Sequence, residues 1–510
     1  MNAVVLSGRL SAQDAAAIGH GAAIALDPAA LARVSDNRAV LERIVAEGTP
    51  SYGITTGFGA LVSERIAPEL HRRLQVNLLR SHACGTGDEL PAEVVRAAMA
   101  IRLNGLLRAH SGIRPVVLVQ AAALLNGGFV PQVPRTGSLG ASGDLAPSAH
   151  AFLPLLGEGR VRAPDGRVGG GADALRALGR APLELEAKEG LALINGTHFM
   201  SAIGALLTVR VGALLDAVDL VAAATIDALR GATPAFDARV HALRPIEGQI
   251  RSAANIRSAL RGSLRVRGRG SGSPQDAYSL RCAAQVHGAA REAFAFFSRL
   301  VAADLNAVTD NPLVFDDPAE IVSAGNFHGQ SLALAFDTLR LALADLGSIS
   351  ERRIFRLVSP STNGGLPPFL SPTAGASSGY MIVQYAAAAL VSELRALAHA
   401  VSVDSVPTSD NQEDHVSMGM TAALMSLDAV VRLERVVACE LLCATQALDC
   451  DPDTPGAAVA AAHAAVRERV PPLVEDRPPA YDLAAIEPLV AGGHLAELLR
   501  RAAAPAEAAA

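Results

Sequence analysis

Apolar residues recur every three or four positions along two stretches in the second half of the chain. The first stretch comprises Leu332, Phe336, Leu339, Leu343 and Leu346, and the second comprises Leu390, Leu394, Leu397 and Val401. This spacing places each set on one face of an α-helix and predicts two long amphipathic helices. Pro360, Pro367 and Pro368 lie between the two stretches and predict a loop there, since proline rarely continues a helix.

Helical patterns dominate most of the chain, whereas regular alternation of apolar and polar residues is scarce. A helix is expected around 92–108, and glycine and proline make the segment 127–171 rich in loops. We therefore predict a mainly α fold, a bundle of long helices with a smaller, loop-rich N-terminal domain. The predicted boundary separates a mixed domain at 1–110 from a helical-bundle domain at 111–510. The segment 261–273, rich in glycine and arginine, is expected to form a mobile loop.

Composition narrows the class of protein. The chain has 510 residues, of which 50% are hydrophobic and 18% are charged, and this balance is typical of a globular protein. A net charge of −6 provides no basic field for phosphates, so nucleic-acid binding is not expected. Charged residues such as Arg210 and Asp216 interrupt the apolar run at 199–229, which argues against a membrane span. The first residues, MNAVVLSGRL, lack the features of a secretory signal, so a cytoplasmic location is expected.

Cysteine and histidine give no sign of a disulfide framework or a metal site. The chain has five cysteines, an odd number in a long sequence, which does not suggest paired thiols. Cys439 and Cys443 lie in an apolar helical stretch and are expected to be buried. No two histidines show the H-x-x-x-H spacing with a carboxylate between them, so metal catalysis is not expected.

The run Gly-Ser-Leu-Gly-Ala-Ser-Gly-Asp at 137–144 allows four interpretations. A phosphate-binding loop needs a Lys-Ser/Thr pair after its last glycine, where Asp144 stands instead. A hydrolase nucleophile elbow needs G-x-S-x-G, but Asp144 takes the place of the last glycine. The third interpretation is a plain turn in which Asp144 caps a helix that begins at Leu145. The fourth is chemical, because a tight turn lets the amide nitrogen of Gly143 attack the carbonyl carbon of Ala141.

Such a cyclisation would create an electrophile without an added cofactor. Loss of water on ring closure, together with dehydration of Ser142, would leave a five-membered ring that carries an exocyclic methylidene group. Gly143 suits the attack because it lacks a Cβ atom and tolerates strained dihedral angles. The small side chain of Ala141 leaves space around the ring. No standard side chain provides a comparable electrophile.

Seven sequence blocks resemble those of one enzyme family. GSLGASGDLAP at 137–147 resembles the signature of the histidine and aromatic amino-acid ammonia-lyases, which carry this 4-methylidene-imidazol-5-one group. Six further blocks match in family order, namely YGITTGFG at 52–59, RSHACG at 80–85, EGLALINGT at 189–197, QDAYSLRC at 275–282, GNFHGQ at 325–330 and NQEDHVSMG at 411–419. The chain departs from the family at Ser148, where a bulkier apolar residue is usual, and at His198.

The resemblance implies a reaction and an assembly. Family members remove ammonia from an α-amino acid and leave a trans-alkene. They use the ring that Ala141, Ser142 and Gly143 would form in this chain, and they need no external cofactor. They are homotetramers whose active sites take residues from three subunits. We therefore expect a homotetramer with shared active sites, a small-molecule amino-acid substrate, and no nucleic-acid or membrane partner.

The resemblance also implies roles for particular residues. Tyr52 resembles the base for the β-proton, and Arg281 resembles the residue that binds the substrate carboxylate. The other implied residues are Asn195 and Tyr278, as donors near the ring carbonyl and the substrate amine, Gln275 for orientation, and Phe327 as a shield against water. Taken singly, each of these residues can equally be a surface charge, a capping group or part of the core.

Two positions bear on the substrate. Ser81-His82 is the pairing expected for an imidazole substrate, whereas tyrosine-specific relatives tend to have His-Leu there and phenylalanine-specific ones Phe-Leu. A carboxylate at Glu413 can accept a hydrogen bond from an imidazole, while a phenyl ring offers nothing to offset the burial of that carboxylate. L-Histidine is therefore the expected substrate and trans-urocanate the product. The alternatives are a tyrosine or phenylalanine ammonia-lyase or aminomutase, and an ordinary core pair formed by His82 and Glu413.

Overall fold

A computed structural model describes residues 3–48, 51–268, 275–373 and 375–503. Contacts divide the chain into two compact units. The first unit comprises Met1–Val209, Phe297–Phe336 and Ala400–Leu424, and the second comprises Arg210–Phe296, Asp337–His399 and Met425–Ala510. The expected domain boundary at residue 110 stays a prediction, because a compact unit need not be an independently folding domain. Residues 269–273 of the expected mobile loop lie outside the described residues.

Helices account for most of the described chain, which confirms the predicted mainly α fold. The α-helices are α1 (Ala12–Gly19), α2 (Pro28–Ala46), α3 (His71–His82), α4 (Ala92–Leu106), α5 (Pro115–Asn126), α6 (Leu145–Phe152), α7 (Gly171–Ala177), α8 (Glu189–Ile194), α9 (His198–Ala228), α10 (Ala238–Ala242), α11 (Glu247–Ala259), α12 (Tyr278–Arg281), α13 (Ala283–Asp304), α14 (Gln330–Val358), α15 (Met381–Leu397), α16 (Gly419–Asp449), α17 (Ala457–Arg467), α18 (Pro479–Ala491) and α19 (His494–Ala503). Short 3-10 helices span Gly59–Leu61, Pro68–Leu70, Leu153–Leu156, Thr233–Phe236 and Pro368–Leu370.

Strands in the described residues are short, as the scarcity of alternating patterns predicts. They are β1 (Val4–Leu6), β2 (Ile24–Leu26), β3 (Thr86–Glu89), β4 (Val130–Pro131), β5 (Pro134–Thr136), β6 (Arg160–Arg162), β7 (Val168–Gly170), β8 (Leu313–Asp316) and β9 (Ala319–Val322). Strands β1 and β2 pair in parallel, whereas β3 with β5, β4 with β6, β6 with β7, and β8 with β9 pair antiparallel. These small sheets connect helices rather than form a layer of their own.

The two predicted amphipathic helices exist, but one of them buries a different face. All five residues of the first apolar stripe lie on α14 and are buried. On α15 the buried residues are instead Val383, Ala387, Val391 and Leu394. Leu390 and Leu397 are only half-buried, and Val401 lies beyond the end of the helix. The expected stripe on α15 was therefore wrong except at Leu394, because several parallel rows of apolar residues run along an alanine-rich helix.

In the first unit, α3, α6 and α8 pack against one another. They support the loop between β5 and α6, which contains the Ala-Ser-Gly segment at 141–143. Helix α8 approaches α3 closely at Gly190, where a Cβ atom would lie 2.5 Å from the carbonyl oxygen of Gln75. Gln75 is fully buried, and its side chain accepts a hydrogen bond from Leu191 N (3.1 Å) and donates one to Gly53 O (3.2 Å). The same residue thus holds α8 and the Tyr52 loop in fixed positions.

The core of the second unit contains a network of buried charges. Arg353 and Glu440 are both fully buried and form a bidentate ion pair, with N–O distances of 2.5 and 2.9 Å. His287 joins this pair to Asp219, because its Nδ1 lies 2.8 Å from Asp219 Oδ1 and its Nε2 lies 3.3 Å from Arg353 Nη1. Arg291 completes the chain of contacts with a 2.5 Å ion pair to Asp219. Burial lowers the pKa of His287 below its usual value, so the ring is neutral.

Candidate active site

A cavity of about 770 Å³ lies in the first unit. Its walls come from the loop that starts at Tyr52, from α3, from the loop before α6, from α8 and the residues after it, and from two later loops. Among the residues singled out from the sequence, the cavity brings together Tyr52, Ser81, His82, Ser142, Asn195, Phe327 and Glu413. These residues are spread over more than 360 positions of the sequence, so only the fold makes them neighbours.

The Ala-Ser-Gly segment forms a tight turn of unusual backbone conformation. Gly140, Ser142 and Gly143 have φ values of +76°, +50° and +81°, in the left-handed region that favours glycine. A Cβ atom on Gly143 would lie 2.2 Å from the carbonyl oxygen of Gly196, so no other residue fits there. The Ser142 side chain reaches the cavity, and Ala141 beside it is half-buried. A non-glycine residue in this conformation costs about 1–3 kcal/mol, which the surrounding contacts must offset.

Those contacts come from the segment that follows α8. Asp144 N donates a hydrogen bond to Gly196 O (2.7 Å), and Gly196 N donates one to Ser142 O (3.3 Å). Next to Gly196, the Asn195 side chain donates from Nδ2 to Asn311 O (2.9 Å). Asn195 Oδ1 is buried and has no hydrogen-bond partner among the described residues. The turn is therefore clamped on one side, and an unused amide acceptor lies at the cavity wall.

Asp144 plays a part that the sequence did not indicate. It precedes α6, but its carboxylate does not cap that helix. Instead, Asp144 Oδ2 accepts hydrogen bonds from Phe199 N and Met200 N, both at 2.9 Å, in the first turn of α9. Asp144 thus occupies the N-cap position of α6, as one of the four interpretations has it, but its carboxylate caps a helix that begins more than 50 residues later. Burial raises the pKa of Asp144 to about 7.

The two positions at which the chain departs from the family, Ser148 and His198, contact each other. Ser148 Oγ donates to Asp144 O (2.5 Å) and lies 2.7 Å from His198 Nε2. Since the single hydroxyl proton of Ser148 is used on the carbonyl, His198 Nε2 must be the donor to Ser148 Oγ. Burial lowers the pKa of His198 well below its usual value, so this ring is neutral as well. The pair ties α9 to α6 directly behind the Ala-Ser-Gly turn.

Tyr52 lies at the cavity wall with its hydroxyl oxygen accepting a hydrogen bond from Gly59 N (3.0 Å). Its ring contacts Phe58 edge-on, with ring centroids 6.2 Å apart. Burial raises the pKa of the phenol above its usual value, and the negative charge of Glu413 raises it further, although the Gly59 hydrogen bond opposes this. No lysine or arginine is found among the described residues that line the cavity. The described lining residues therefore supply no positive charge beside the phenol.

His82 lies at the end of α3 with its ring orientation and tautomer defined by one hydrogen bond. Its Nδ1 is 2.9 Å from the carbonyl oxygen of Leu78 and 3.0 Å from Ser81 Oγ. A carbonyl oxygen can only accept, so Nδ1 carries the proton and Nε2 is an acceptor. Burial lowers the pKa of His82, which keeps the ring neutral near pH 7, although Glu413 opposes this shift.

Glu413 reaches the cavity from a hairpin-like loop at 408–413. Thr408 N donates to Glu413 O (2.9 Å), and Thr408 Oγ1 donates to Glu413 Oε2 (2.8 Å). Three of the four residues between them have positive φ values, namely 51° at Ser409, 52° at Asp410 and 63° at Asn411. The remaining carboxylate oxygen, Oε1, accepts a hydrogen bond from Ser142 Oγ (3.3 Å). Glu413 is thus attached to the Ala-Ser-Gly turn directly.

Three predicted site residues are not among those that line the cavity. Gln275, Tyr278 and Arg281 belong to the second unit. The Tyr278 side chain is 69% exposed, and the Arg281 guanidinium lies 4.4 Å above its ring. Arg281 Nε donates to Asp276 O (2.9 Å). Their roles in substrate binding stay predictions.

Sequence reasoning overlooked several residues that build the site. Asn311 accepts from the Asn195 amide and in turn uses its own Oδ1 to accept from Ala324 N (2.7 Å) beside the cavity. Asp310 and Lys188 form a fully buried ion pair (2.8 Å) behind this segment. The Asp-Asn-Pro run at 310–312 is a typical turn signal, and it could have drawn attention to Asn311.

Neither a metal centre nor a membrane segment emerges from the part of the chain that the structure describes. Within it, no group of three or more His, Cys, Asp or Glu side chains is arranged to hold a metal ion. Of the helices given above, none is both long and apolar enough to cross a membrane. Cys439 and Cys443 are buried free thiols, as predicted.

The described chain is thus mainly helical and carries a strained Ala-Ser-Gly turn at the wall of a mixed polar and apolar cavity. Residues 10–468 match the family described as aromatic amino acid lyase. The chain belongs to this family.

Individual relatives agree with this assignment. A histidine ammonia-lyase of Symbiobacterium thermophilum is 49% identical over 509 residues, covering 99% of this chain and 100% of the relative. The crystal structure of a histidine ammonia-lyase from Trypanosoma cruzi is similar at a TM-score of 0.91 and 38% identity, covering 98% of this chain and 96% of that one. A tyrosine aminomutase from Streptomyces globisporus is similar at a TM-score of 0.93 and 35% identity, covering 98% and 99%.

Proposed function

We propose that this protein is a histidine ammonia-lyase, which eliminates ammonia from L-histidine and forms trans-urocanate. The observation that carries the proposal is the position of His82 and Glu413 in the same cavity as Ser142. Both side chains offer hydrogen-bond acceptors that an imidazole can satisfy and a phenyl ring cannot. The high identity to relatives named histidine ammonia-lyase supports the same substrate.

We propose that the electrophile is a 4-methylidene-imidazol-5-one ring formed from Ala141, Ser142 and Gly143, and that no external cofactor is required. The turn fits such a ring, because its left-handed φ values at Ser142 and Gly143 fold the backbone back on itself. Gly143, which supplies the attacking nitrogen, lies so close to Gly196 that no side chain fits at position 143. When formed, the ring would supply an alkene that attracts the electrons of the substrate. Asn195 lies close to the turn, and the N–H of its Nδ2 that is not bound to Asn311 O is the donor suited to polarise the ring carbonyl.

The remaining residues of the cavity bind the substrate and move its proton. Tyr52, as a phenolate, takes the proton from the β-carbon, the electrons of that C–H bond form the alkene, and the C–N bond breaks to release ammonia. Phe327 covers the site and limits the access of water. Because the pKa of Tyr52 is raised in the isolated chain, a cation near the phenol has to come from elsewhere.

Neighbouring subunits are the proposed source of that cation. We propose a homotetramer in which Gln275, Tyr278 and Arg281 of other subunits complete each cavity, with Arg281 bound to the substrate carboxylate. This arrangement would explain why these residues do not line the cavity of their own chain. Exposed apolar side chains on α14 and α15 support an assembly, since Leu341 and Ile382 are 57% and 55% exposed.

The substrate is tested by giving the purified protein each aromatic amino acid separately and following the ultraviolet absorbance of the conjugated acid formed. We expect urocanate to appear from L-histidine, with tyrosine and phenylalanine converted at least tenfold more slowly. A matched Ser142→Ala variant should form none of these products. Faster release of coumarate or cinnamate than of urocanate would contradict the assignment.

A tyrosine or phenylalanine lyase or aminomutase is the second candidate. The similarity to the tyrosine aminomutase from Streptomyces globisporus favours it, and a phenol hydroxyl could donate to His82 or Glu413. An aminomutase would return ammonia to the β-carbon, so the appearance of a β-amino acid by chromatography would identify that outcome.

A further inference from the structure

We propose that the substrate side chain is bound as an imidazolium cation, which donates one N–H to Nε2 of His82 and the other to Glu413. The inference rests on the proposed function and adds the charge state of the substrate. It predicts that the protein selects one protonation state of the ring, and not only its shape.

The first step is the hydrogen-bonding capacity of His82. Its Nδ1 lies 2.9 Å from Leu78 O, an atom that only accepts, so the ring proton is on Nδ1. Nε2 is then a bare acceptor. Because burial lowers the pKa of His82, the ring does not gain a second proton near neutral pH. A substrate ring that contacts His82 Nε2 must therefore donate a proton to it.

The second step is the carboxylate. Glu413 Oε2 already accepts from Thr408 Oγ1, and Oε1 accepts from Ser142 Oγ. Dehydration of Ser142, which the proposed function requires, removes that hydroxyl and leaves Glu413 Oε1 without its donor. Glu413 then also needs a donor from the substrate. A neutral imidazole has only one N–H and cannot serve both acceptors, whereas an imidazolium has two.

The third step is the balance of charge. The titratable groups among the described lining residues are Tyr52, His82 and Glu413, and no lysine or arginine accompanies them. Asp144 points away, because its carboxylate binds the first turn of α9. Tyr52 supplies no positive charge in either protonation state, and the Arg281 proposed to come from another subunit is bound to the substrate carboxylate. An isolated carboxylate in such a cavity is costly, and a cationic ring removes that cost.

The test uses 3-(imidazol-4-yl)propanoate, which is histidine without its amino group and cannot be deaminated. At about pH 8 its ring is mostly neutral, given a reference imidazole pKa of about 6.5. Calorimetric titration of the native enzyme in two buffers of different ionisation enthalpy reports the protons taken up on binding. We expect about one proton per site for the native enzyme. The Glu413→Gln variant should bind the ligand with uptake close to zero, because its neutral amide no longer stabilises a cation.

A second ligand shows where the proton resides. The 2-fluoro derivative of the same ring is far less basic, so it should bind the native enzyme at least tenfold more weakly and without proton uptake. Uptake that persists with the fluorinated ring would place the proton on the protein and overturn the proposal. Binding of the parent ligand without uptake would also overturn it, while the function as a histidine lyase would stand. If the parent ligand does not bind and L-histidine releases no ammonia, the proposed function itself is wrong.

Discussion

Ser142 Oγ donates a hydrogen bond to Glu413 Oε1 across 3.3 Å, although the two residues are 271 positions apart in the chain. This contact joins the residue proposed to become an electrophile to the residue proposed to recognise the substrate ring. The hairpin that carries Glu413 also contacts the Tyr52 loop, because Ala60 N donates to Ser409 Oγ (3.1 Å). The Ala-Ser-Gly turn, the Tyr52 loop and Glu413 thus form one connected group. A mutation in any one of them should alter the positions of the other two.

Formation of the electrophile should be visible in the mass of the protein. The native chain is expected to be lighter than its encoded sequence by two waters, and Ser142→Ala should not lose the second. Gly143→Ala should prevent ring closure altogether, because the new Cβ atom would lie 2.2 Å from Gly196 O. A control is Gly169→Ala, where the nearest atom is 3.8 Å away and the protein should still be lighter than its own encoded sequence by two waters. An unmodified mass in active native enzyme would refute the ring.

Substrate discrimination should depend on Glu413. A buried polar group left without its partner costs about 1–3 kcal/mol, which corresponds to roughly ten- to hundredfold in rate. Glu413→Gln is therefore expected to lower kcat/KM for L-histidine by at least about tenfold while changing the residual turnover of phenylalanine much less. Equal losses for the two amino acids would mean that Glu413 acts on the turn and not on the ring of the substrate.

The rate should rise with pH. The pKa of Tyr52 lies above its usual value because of burial and the Glu413 charge, so the phenolate fraction increases as the pH rises towards that pKa. We expect kcat at saturating L-histidine to increase up to about tenfold per pH unit on the acidic side of the profile. Glu413→Gln removes the negative charge beside the phenol, which should lower the pKa of Tyr52 and move the rising part of the pH profile to lower pH. A profile that does not move in the variant would show that the phenol is not the titrating group, and Tyr52→Phe should abolish turnover.

Shared active sites predict complementation between inactive variants. If Tyr52 and Arg281 of one functional site come from different subunits, mixed tetramers of Tyr52→Phe and Arg281→Ala contain some intact sites. Denaturing and refolding the two variants together should restore part of the activity that neither has alone. The control mixture of Tyr52→Phe with Glu413→Gln should not recover, because these two residues line the cavity of a single chain. Light scattering that reports an active monomer would exclude the assembly.

Acid should weaken the second unit through His287. Burial lowers the pKa of this ring below its usual 6.5, so the folded state binds a proton less readily than the unfolded chain. The resulting stability is fully present above the unfolded pKa and is lost as the pH falls through about 6.5 towards the folded pKa. The free energy of unfolding should fall between about pH 7 and pH 5 by at most about 1.4 kcal/mol per unit from this group. His287→Gln, which cannot be protonated, should show a shallower slope in denaturant titrations, and an identical slope would contradict the assignment.

Local pattern was a reliable guide to some features and not to others. The stripe on α14 was predicted correctly, since all five of its residues are buried, although Leu334 and Leu341 on the same helix are exposed. On α15, apolar residues occupy several rows, so packing with other helices selects Val391 instead of Leu390. Asp144 stands at the N-cap position of the helix that follows it, as one of the four interpretations has it, but its carboxylate binds the start of α9. Such choices depend on which backbone groups the fold brings near, and no local pattern contains that information.

The sequence by itself determined the mainly helical fold. It also determined the Ala-Ser-Gly triplet at 141–143, whose small residues tolerate a left-handed backbone. Both features depend on only a few neighbouring residues, through helix periodicity and the conformational freedom of glycine. It also supplied the side chains of the candidate site through its family motifs. Only the tertiary structure decided that Ser142 meets Glu413, that Ala60 N donates to Ser409 Oγ, and that the Asn195 amide donates to Asn311 O. These contacts join residues that are one hundred or more positions apart in the chain. The packing of whole helices brings such residues together, and its free energy outweighs the local conformational preferences of the segments that make contact.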